Sequence, residues 1–414
     1  MLVPKLRFPE FRNAGDWKPK RLGALFSQRE ESGRTNLRLL SLTDKDGIIP
    51  QEESNRKNTS NGDLSRYLRV VPGDIAYNTM RMWEGRNALS RIEGIVSPAY
   101  TVCRPTKDAN SVFFSYYFKT PQLIAQFARY SQGLVKDTLN LKFEAFSRIL
   151  AATPPTLPEQ QKIADCLTSL DALIEAQGRK VEVLRAHKKG LMQQLFPQEG
   201  EALPRLRFPE FEGAGEWEEG TISDIGTVLQ GYGFPERYQG QQSGDFPFYK
   251  VSDISRSLGA GKTFIEEAAN YVNKNQLKEL RAKPIPAGTA VFAKIGEAIR
   301  SNKRAITTVP CLIDNNAAGV KSIKGKATDF FIYLTMEQIS LIDHAGGVVP
   351  AVNKSAIEAI PVKFPQVAEQ QRIADCLTSL DDLIAAETRK LDRLKTHKKG
   401  LMQQLFPRVG EADT

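Results

Sequence analysis

The chain has 414 residues, of which 41% are hydrophobic and 25% charged, a composition typical of a folded protein with two or three domains. Its apolar runs are only a few residues long, which excludes a membrane span, and its first residues lack the apolar stretch of a signal peptide. The formal net charge of +9 favours a polyanionic partner, although charge alone does not distinguish nucleic acid from simple solubility.

A short segment near the start of the chain occurs twice. The sequence PKLRFPEF begins at Pro4 and returns as PRLRFPEF from Pro204, and the similarity continues through a shared glycine and tryptophan. We therefore assign residues 1–17 to an N-terminal arm that is repeated at 204–217. Residues 198–217 form the linker that contains the second arm.

Two blocks of dissimilar sequence, residues 18–155 and 218–365, follow the arms, and each has the size of a compact domain. Both blocks mix predicted strands and helices, and several pieces correspond. These are strands at 39–44 and 249–254, strands opened by a proline–glycine turn at 70–77 and 285–292, and buried aromatic helices at 113–117 and 330–334. The two blocks are therefore predicted to share a fold and to differ in surface residues.

Residues 156–197 and 366–407 are predicted to form two long helices of nearly identical sequence. From Glu159 to Pro197, 29 of 39 residues are identical to those found 210 positions later. Thr156 and Glu159 have the spacing of a capping box, in which the glutamate reaches back to the start of the helix. The next proline after the first turn is Pro197, so the helix is predicted to run without interruption.

The helices carry a heptad pattern over about five heptads, which is typical of a coiled coil. Eight of ten core-type positions are apolar in each copy, and the exceptions coincide, at Gln177 with Glu387 and at Lys188 with Lys398. The predicted interface residues are Ile163, Leu167, Leu170, Ile174, Val181, Leu184, Leu191, Leu195, Ile373, Leu377, Leu380, Ile384, Leu391, Leu394, Leu401 and Leu405.

Each helix has one apolar stripe and needs a partner, and the other copy is the obvious candidate. Antiparallel pairing places the two blocks at opposite ends of a spacer with approximate two-fold symmetry, whereas parallel pairing crowds them at one end. The duplication favours the antiparallel arrangement. The predicted fold is therefore α+β: two globular mixed α/β domains, separated by two long helices that pair as an antiparallel coiled coil with pseudo-two-fold symmetry, and a C-terminal tail at 408–414.

Residues that usually perform covalent chemistry form no recognisable motif. The four cysteines (Cys103, Cys166, Cys311 and Cys376) lack C-x-x-C spacing, which predicts a reduced cytoplasmic protein without a zinc site. Only three histidines occur, and two of them belong to the repeated helices. We find no phosphate-binding, metalloprotease or base-methylation motif and expect that the chain is not an enzyme by itself.

Loops that follow corresponding strands of the two blocks are the best candidates for DNA contacts. They combine glycine, asparagine and cationic residues, which suit phosphates and base edges. Solvated surface loops explain the same composition equally well. The candidate DNA-binding residues are Asn78, Arg81, Trp83, Arg86 and Lys136 in the first block and Lys294, Arg300, Asn302, Lys303 and Arg304 in the second.

The chain resembles the specificity subunit of a type I restriction-modification system. The resemblance rests on the repeated LRFPEF, on PEQQKIADCL and AEQQRIADCL at the helix starts, and on HKKGLMQQLF at both helix ends. The segments VPGDIAYNTMRMWEG, GIVSPAY and YKVSDI resemble target recognition domains of that family. The similarity covers essentially the whole chain, and its most specific part is the alternation of two recognition domains with two near-identical helices.

The resemblance implies a cytoplasmic prokaryotic protein without catalytic activity of its own. Each recognition domain would read one half of a bipartite, asymmetric double-stranded DNA site, and the helices would set the spacer. Two modification subunits with adenine N6-methyltransferase activity and two restriction subunits would be the partners, and they would hold S-adenosylmethionine, ATP and Mg²⁺.

Helix residues that look exposed and are repeated in both copies are candidate docking residues for those partners: Glu159, Gln160, Gln161, Gln193, Gln194, Glu369, Gln370, Gln371, Gln403 and Gln404. Two identical docking surfaces argue against the alternative, a stand-alone tandem transcriptional or architectural DNA-binding protein, which would need no partner subunits.

Overall fold

The computed structural model describes residues 3–43, 47–54, 62–259 and 262–407, so the predicted tail at 408–414 lies outside the described residues. The chain divides into two compact units. Unit 1 comprises Met1–Gln177 and Lys390–Thr414, and unit 2 comprises Gly178–Arg389. Each unit therefore contains one of the two dissimilar blocks together with parts of both long helices.

The globular part of unit 1 consists of small antiparallel sheets and short helices. Its strands are β1 (Lys18–Arg21), β2 (Phe26–Gln28), β3 (Leu40–Thr43), β4 (Gly47–Pro50), β5 (Leu68–Val70), β6 (Ile75–Asn78), β7 (Asn87–Leu89), β8 (Gly94–Val96), β9 (Tyr100–Pro105) and β10 (Leu150–Thr153). Its helices are α1 (Leu22–Leu25), α2 (Ser111–Tyr117), α3 (Pro121–Tyr130) and α4 (Phe143–Arg148). Strands β2, β9, β6 and β7 form a sheet in that order, and β1–β10, β3–β4 and β5–β8 form pairs.

Aromatic side chains fill the core of unit 1. Phe113, Phe114 and Tyr117 on α2 are buried, which confirms the buried helix predicted at 113–117. Phe26 on β2 meets Phe114 edge-on, with ring centroids 5.1 Å apart, a favourable geometry for two aromatic rings. Because these rings pack against one another, they form the core of unit 1.

Unit 2 has a larger mixed sheet. Its strands are β11 (Glu218–Thr221), β12 (Gly226–Gln230), β13 (Phe246–Tyr249), β14 (Phe264–Ile265), β15 (Tyr271–Val272), β16 (Ala290–Ala293), β17 (Arg304–Thr307), β18 (Leu312–Ile313), β19 (Ala317–Ser322) and β20 (Pro361–Phe364). Strands β12, β19, β16, β17 and β14 form one sheet in that order, β15, β13 and β18 form a second, and β11 pairs with β20. The β13–β18 and β14–β17 pairs are parallel and the others antiparallel.

Unit 2 also contains short helices, which precede the second long helix in the chain. They are α6 (Ile222–Ile225), α7 (Val251–Gly259), α8 (Lys274–Glu279), α9 (Asp329–Gln338) and α10 (Lys354–Glu358). Helix α9 is buried around Phe331 and Leu334 and confirms the helix predicted at 330–334. In both units a glycine with positive φ precedes the central strand, Gly73 (φ +93°) before β6 and Gly288 (φ +77°) before β16. This turn, which glycine adopts without steric cost, confirms the predicted strand openings.

The strand predicted at 249–254 is wrong, because β13 ends at Tyr249 and α7 begins at Val251. The Asp253 carboxylate accepts a hydrogen bond from the Lys250 amide at 2.8 Å and so satisfies a free N–H group at the start of the helix. The strand predicted at 39–44 is present as β3, and Asp44 lies outside the described residues.

The two long helices are α5 (Leu157–Leu195) and α11 (Val367–Leu405), each of 39 residues. Pro158 occupies the first turn of α5, where its missing N–H costs no hydrogen bond, and the helix ends before Pro197. The predicted capping box is wrong, since the Glu159 carboxylate binds Arg7 and Trp17 instead of the helix start. No helix in the described ranges is long and apolar enough to cross a membrane.

The ends of the long helices belong to the cores of the globular parts. In unit 1, Ile163 near the start of α5 shares a core with Leu405 near the end of α11. In unit 2, Ile373 near the start of α11 shares a core with Leu195 near the end of α5. The other predicted interface positions are buried (Leu167, Val181, Leu377) or partly buried (Leu170, Ile174, Leu184, Leu191, Leu380, Ile384, Leu391, Leu394, Leu401).

Candidate nucleic-acid interface

The loop that follows β6 in unit 1 carries four of the predicted DNA contacts. The Asn78 side-chain oxygen accepts a hydrogen bond at 2.9 Å from the amide two residues later, and the Trp83 indole N–H donates at 2.9 Å to the carbonyl of that same residue. Arg81 and Arg86 both form ion pairs with Glu84, at 3.2 and 3.1 Å. The loop is therefore ordered by its own side chains and holds two guanidinium groups around one carboxylate.

A second loop lies directly beside the first. Gln132 and Asn140 exchange two backbone hydrogen bonds of 2.9 and 2.8 Å, which close a loop that contains Lys136. The Leu141 amide, just after this loop, donates to the Thr79 carbonyl at 2.8 Å. The structure thus joins the loop of Lys136 to the loop after β6, although the two are far apart in sequence.

Unit 2 contains the same pair of joined loops. The first, residues 294–303, follows β16, and the second lies just before α10. The Gly296 amide donates to the Pro350 carbonyl at 2.7 Å, and the Val352 amide donates to the Lys294 carbonyl at 2.9 Å. Each unit therefore places two loops at the end of its central strand and fastens them to each other through the backbone.

The cations of the unit 2 loop differ in their exposure. The Lys294 ammonium donates a hydrogen bond to Gln230, and its burial lowers the pKa of Lys294. Arg300 forms an exposed ion pair with Glu297 at 3.1 Å, and Lys303 is exposed. Arg300 and Lys303 are therefore the cations of this loop that a polyanion meets first.

The prediction that Arg304 contacts DNA is wrong. Its side chain is 1% exposed, and its guanidinium donates to the Met336 and Ile339 carbonyls at 3.3 Å. The guanidinium also lies 5.1 Å from the centroid of the Phe292 ring, and burial lowers the pKa of Arg304 to about 10. The Asn302 side-chain oxygen accepts a hydrogen bond from Arg304 at 2.6 Å, so this asparagine helps to hold the buried arginine.

Comparison with known proteins finds a family match and several relatives. Residues 214–396 match the family described as "Type I restriction modification DNA specificity domain". The chain is 25% identical to the putative type I restriction enzyme MjaX specificity subunit of Methanocaldococcus jannaschii, over 83% of this chain and 80% of that protein. It is 23% identical to the type I restriction enzyme MjaVIII specificity subunit of the same organism, over 83% and 82%. The chain therefore carries a type I restriction-modification DNA specificity domain at residues 214–396 and resembles specificity subunits over most of its length.

Two solved structures share its fold. The crystal structure of the S subunit from M. genitalium aligns with a TM-score of 0.57 at 13% identity and covers 99% of this chain and 100% of that one. A chain from the structure described as "Structural basis underlying complex assembly and conformational transition of the type I R-M system" aligns at 0.56 and 16% identity, covering 94% and 96%. At such identities the likeness shows the fold alone.

Two of the first residues of the long helices, Glu159 and Glu369, are not the exposed docking residues that we predicted. Glu159 is buried and accepts two hydrogen bonds from the Arg7 guanidinium, at 2.8 and 2.7 Å, and one from the Trp17 indole at 3.0 Å. Glu369 is likewise buried and binds the arginine and tryptophan of the second arm at 2.8, 2.7 and 3.3 Å. Each repeated arm therefore folds back onto its helix through this buried carboxylate.

Gln160 and Gln370 are buried as well, so docking through them is also wrong. The Gln160 side chain accepts a hydrogen bond from the Asn110 amide at 2.8 Å, and the Gln370 side chain accepts one from the Thr328 amide at 3.1 Å. Both glutamines therefore satisfy backbone groups of their own unit. The exposed members of the set, for which docking stays a prediction, are Gln161, Gln193, Gln194, Gln371, Gln403 and Gln404.

Sequence reasoning missed ionic contacts between the long helices, which include Lys180 with Glu387 and two further pairs that the repeat relates to each other. In unit 2 the Lys188 ammonium binds both carboxylate oxygens of Asp381, at 2.6 and 2.8 Å. In unit 1 Lys398 binds Asp171, which also accepts a hydrogen bond from the Tyr116 hydroxyl at 2.7 Å. The sequence did contain a signal for these ion pairs. Lys188 and Lys398 are lysines at otherwise apolar heptad positions, and a lysine at such a position needs an acidic partner on the facing helix.

Among the residues that the structure describes, no three His, Cys, Asp or Glu side chains form a group that could hold a metal ion. The expectation that S-adenosylmethionine, ATP and Mg²⁺ belong to partner subunits stays a prediction.

Proposed function

We propose that each globular part of this specificity subunit reads one half of a bipartite, asymmetric site in double-stranded DNA. The observation that carries the proposal is the repeated placement of two joined loops at the end of the central strand, β6 in unit 1 and β16 in unit 2. The loops offer arginine, lysine and asparagine side chains, which contact phosphates and base edges. Because the loop sequences differ between the units, the two half-sites differ.

The exposed cations of these loops are the proposed DNA contacts. They are Arg81 and Lys136 in unit 1 and Arg300 and Lys303 in unit 2. Arg81 and Arg300 are held by acidic residues of their own loops, which orient the guanidinium groups before DNA arrives.

We further propose that the long helices pair antiparallel with pseudo-two-fold symmetry and act as the spacer between the half-sites. Two contacts support this pairing. Lys188 binds Asp381 and Lys398 binds Asp171, and exchanging the two repeats converts one contact into the other. A lysine late in one helix thus meets an aspartate early in the other helix in both units, as antiparallel pairing requires.

The proposed partners are two modification subunits, which carry S-adenosylmethionine and methylate adenine N6, and two restriction subunits with ATP and Mg²⁺. The specificity subunit itself is proposed to be non-catalytic. Its exposed and duplicated glutamines, Gln161 with Gln371 and Gln193 with Gln403, provide two equivalent surfaces for two identical subunits.

Mapping N6-methyladenine across a genome tests the readout. The full chain is expressed with its methyltransferase partner in cells that lack other adenine methylation. We expect methylation at one two-part sequence with a fixed gap, and replacing residues 20–150 by the corresponding domain of a relative is expected to alter only one part. Methylation by the purified chain alone, or a change in both parts, would contradict the proposal.

The spacer role is tested by insertion. Four residues placed between Gln177 and Arg179 lengthen a helix by about 6 Å, at about 1.5 Å per residue. The same mapping is then expected to show a longer gap with unchanged half-sites, and an unchanged gap would refute the spacer role.

A further inference from the structure

Two pairs of apolar side chains project into solvent at the tips of the second loops. Leu134 and Val348 are fully exposed, and their neighbours Val135 and Val349 are 61% and 62% exposed. Leu134 and Val135 belong to unit 1, and Val348 and Val349 belong to unit 2. The same feature therefore occurs once in each unit, although the two globular parts differ in sequence.

Both tips are held by a closed backbone. In unit 1 the Gln132–Asn140 bridge closes the loop, and Gly133 (φ +148°) makes a turn so tight that an added Cβ would lie 2.6 Å from the Thr138 carbonyl oxygen. In unit 2, Gly346 and Ala351 exchange two backbone hydrogen bonds of 3.1 Å around the tip. The apolar residues therefore project from fixed positions.

Each apolar tip is bound to the cationic loop of its own unit. The Leu141 amide donates to the Thr79 carbonyl in unit 1, and the Gly296 amide donates to the Pro350 carbonyl in unit 2. Lys136 follows the unit 1 tip directly in sequence. In each unit the apolar tip is thus joined through the backbone to a loop that carries exposed cations.

Leaving such side chains in water forgoes a substantial free energy. Full burial of a valine or leucine side chain is worth about 1.5–3 kcal/mol. A single exposed aliphatic residue is ordinary in a protein surface, but adjacent pairs at equivalent loop tips of two different domains are not. The tips lie on loops that are joined to the proposed DNA contacts. This arrangement points to a ligand that has anionic groups on its surface and apolar faces in its interior.

We infer that Leu134 with Val135, and Val348 with Val349, are apolar wedges that enter the base stack of duplex DNA, one wedge in each half-site. The inference rests on the proposed function and specifies how each domain engages its half-site. Duplex DNA fits both parts of the surface, because its phosphates face the cations while its stacked bases offer apolar faces. Proteins that bend DNA insert leucine and other apolar residues between base steps in this way.

A wedge also changes the DNA around it. Unstacking one step costs a few kcal/mol, which burial of the aliphatic side chains and the nearby phosphate contacts offset. An adjacent base in a loosened stack is easier to extrude, and enzymes that modify a base take it out of the helix. The wedges therefore prepare the DNA for the methyltransferase subunits while touching neither cofactor nor reacting atoms.

The test uses 2-aminopurine, whose fluorescence rises when it loses its stacking neighbours. The probe is the duplex identified by methylation mapping, with 2-aminopurine at non-target positions in one half-site or the other, and it is mixed with the full chain bound to its methyltransferase partner. The variants are Leu134→Ser with Val135→Ser, and Val348→Ser with Val349→Ser. Controls are Leu150→Ser and Val309→Ser, at exposed apolar residues outside the tips.

We expect each double variant to lose the fluorescence rise in one half-site only. It is also expected to bind the duplex on the order of tenfold more weakly, because the lost burial of two aliphatic side chains is largely offset by the unstacking that no longer occurs. The salt dependence of binding is expected to stay unchanged, since the phosphate contacts remain. The controls and a Leu134→Met variant, which keeps an apolar tip, are expected to behave like the unmodified chain.

The outcomes separate the two proposals. Double variants that unstack and bind like the unmodified chain would overturn the wedges and leave the proposed function intact. Double variants that lose the methyltransferase subunit in gel filtration but keep the fluorescence rise would show that the tips contact protein, which also overturns the wedges. An unmodified complex without a preferred two-part sequence would overturn the proposed function itself.

Discussion

Replacing Glu159 by alanine is expected to destabilise unit 1 while leaving unit 2 almost unchanged. The Glu159 side chain is 1% exposed, and the Arg7 side chain that binds it is 7% exposed. The substitution removes both hydrogen bonds to the Arg7 guanidinium and the bond from the Trp17 indole. Arg7 keeps its hydrogen bond to the Gly15 carbonyl, 2.8 Å, and a weaker attraction to Asp16, but its guanidinium loses the carboxylate that it contacts directly.

The expected magnitude follows from the loss of this buried ion pair. Breaking a buried ion pair by removing one partner costs about 3–5 kcal/mol. Because Arg7 retains one hydrogen bond, we take the lower end, about 3 kcal/mol, which corresponds to a roughly 150-fold larger opening constant. The N-terminal arm would then detach from the start of α5, and β1 would lose the packing that Trp17 gives to the adjacent core.

Hydrogen exchange measured by mass spectrometry is the appropriate assay, since a chain with two units does not unfold in one two-state step. Peptides from β1 and β10, which pair in unit 1, are expected to lose protection by about 3 kcal/mol. Peptides from β11 and β20, the corresponding pair in unit 2, are expected to exchange as before.

Two further variants control the result. Glu369→Ala removes the equivalent carboxylate and is expected to reverse the pattern, with the loss in unit 2. Glu10→Ala breaks an exposed ion pair with Lys162 at 3.1 Å and is expected to leave the exchange of both units nearly unchanged, because an exposed pair contributes little to stability. A loss below about 1 kcal/mol for Glu159→Ala, or an equal loss in both units, would refute the reasoning from burial.

Three more substitutions test other contacts. Lys188→Ala is expected to lower the stability of unit 2 by about 1 kcal/mol, a modest value because the ion pair with Asp381 is partly exposed. The double variant Lys188→Asp with Asp381→Lys reverses the pair and should recover most of this stability in the same hydrogen-exchange assay. Lys303→Ala is expected to lower the slope of log binding constant against log salt by about 0.9 if one phosphate contact is lost; an unchanged slope would remove Lys303 from the interface. Burial raises the pKa of Glu337 above its ordinary value of 4.5, so the folded state keeps this proton to a higher pH than the unfolded state does. Unit 2 is therefore expected to lose stability as the pH rises from the unfolded pKa through the folded pKa of Glu337. The Glu337→Gln variant should not show this loss of stability in urea titrations monitored by hydrogen exchange. The same pH dependence in the variant and in the unmodified chain would contradict the role of Glu337.

The elements with strong local patterns were predictable from the sequence. Apolar residues spaced by three and four, together with prolines at both ends, located α5 and α11 within two residues of their observed ends. Buried aromatic runs located α2 and α9. The sequence YKVSDI misled because tyrosine, valine and isoleucine favour strands, whereas the Asp253 side chain starts a helix there.

The remaining errors all concern burial, which depends on distant parts of the chain. Glu159 looks like an exposed helix residue until the arm, about 150 positions earlier, supplies Arg7 and Trp17. Arg304 lies in a cationic run beside Lys303, yet it is the first residue of β17, and α9 contributes the carbonyl of Met336 to hold it inside the unit. A single sequence without its tertiary contacts gives no means to separate these two neighbours.

The chain segments that make up each unit determine the order in which the two units can be completed during synthesis on the ribosome. Unit 2 is continuous, whereas unit 1 needs Leu405 and Phe406 from the end of the chain, where Phe406 stacks on Tyr117 at 4.8 Å. At roughly 5–20 residues per second, the segment between the two parts of unit 1 takes on the order of 10–40 s to synthesise. During that time the core of unit 1 lacks the apolar side chains that the end of α11 supplies. Unit 2, although synthesised later, is therefore the first unit that can complete its core.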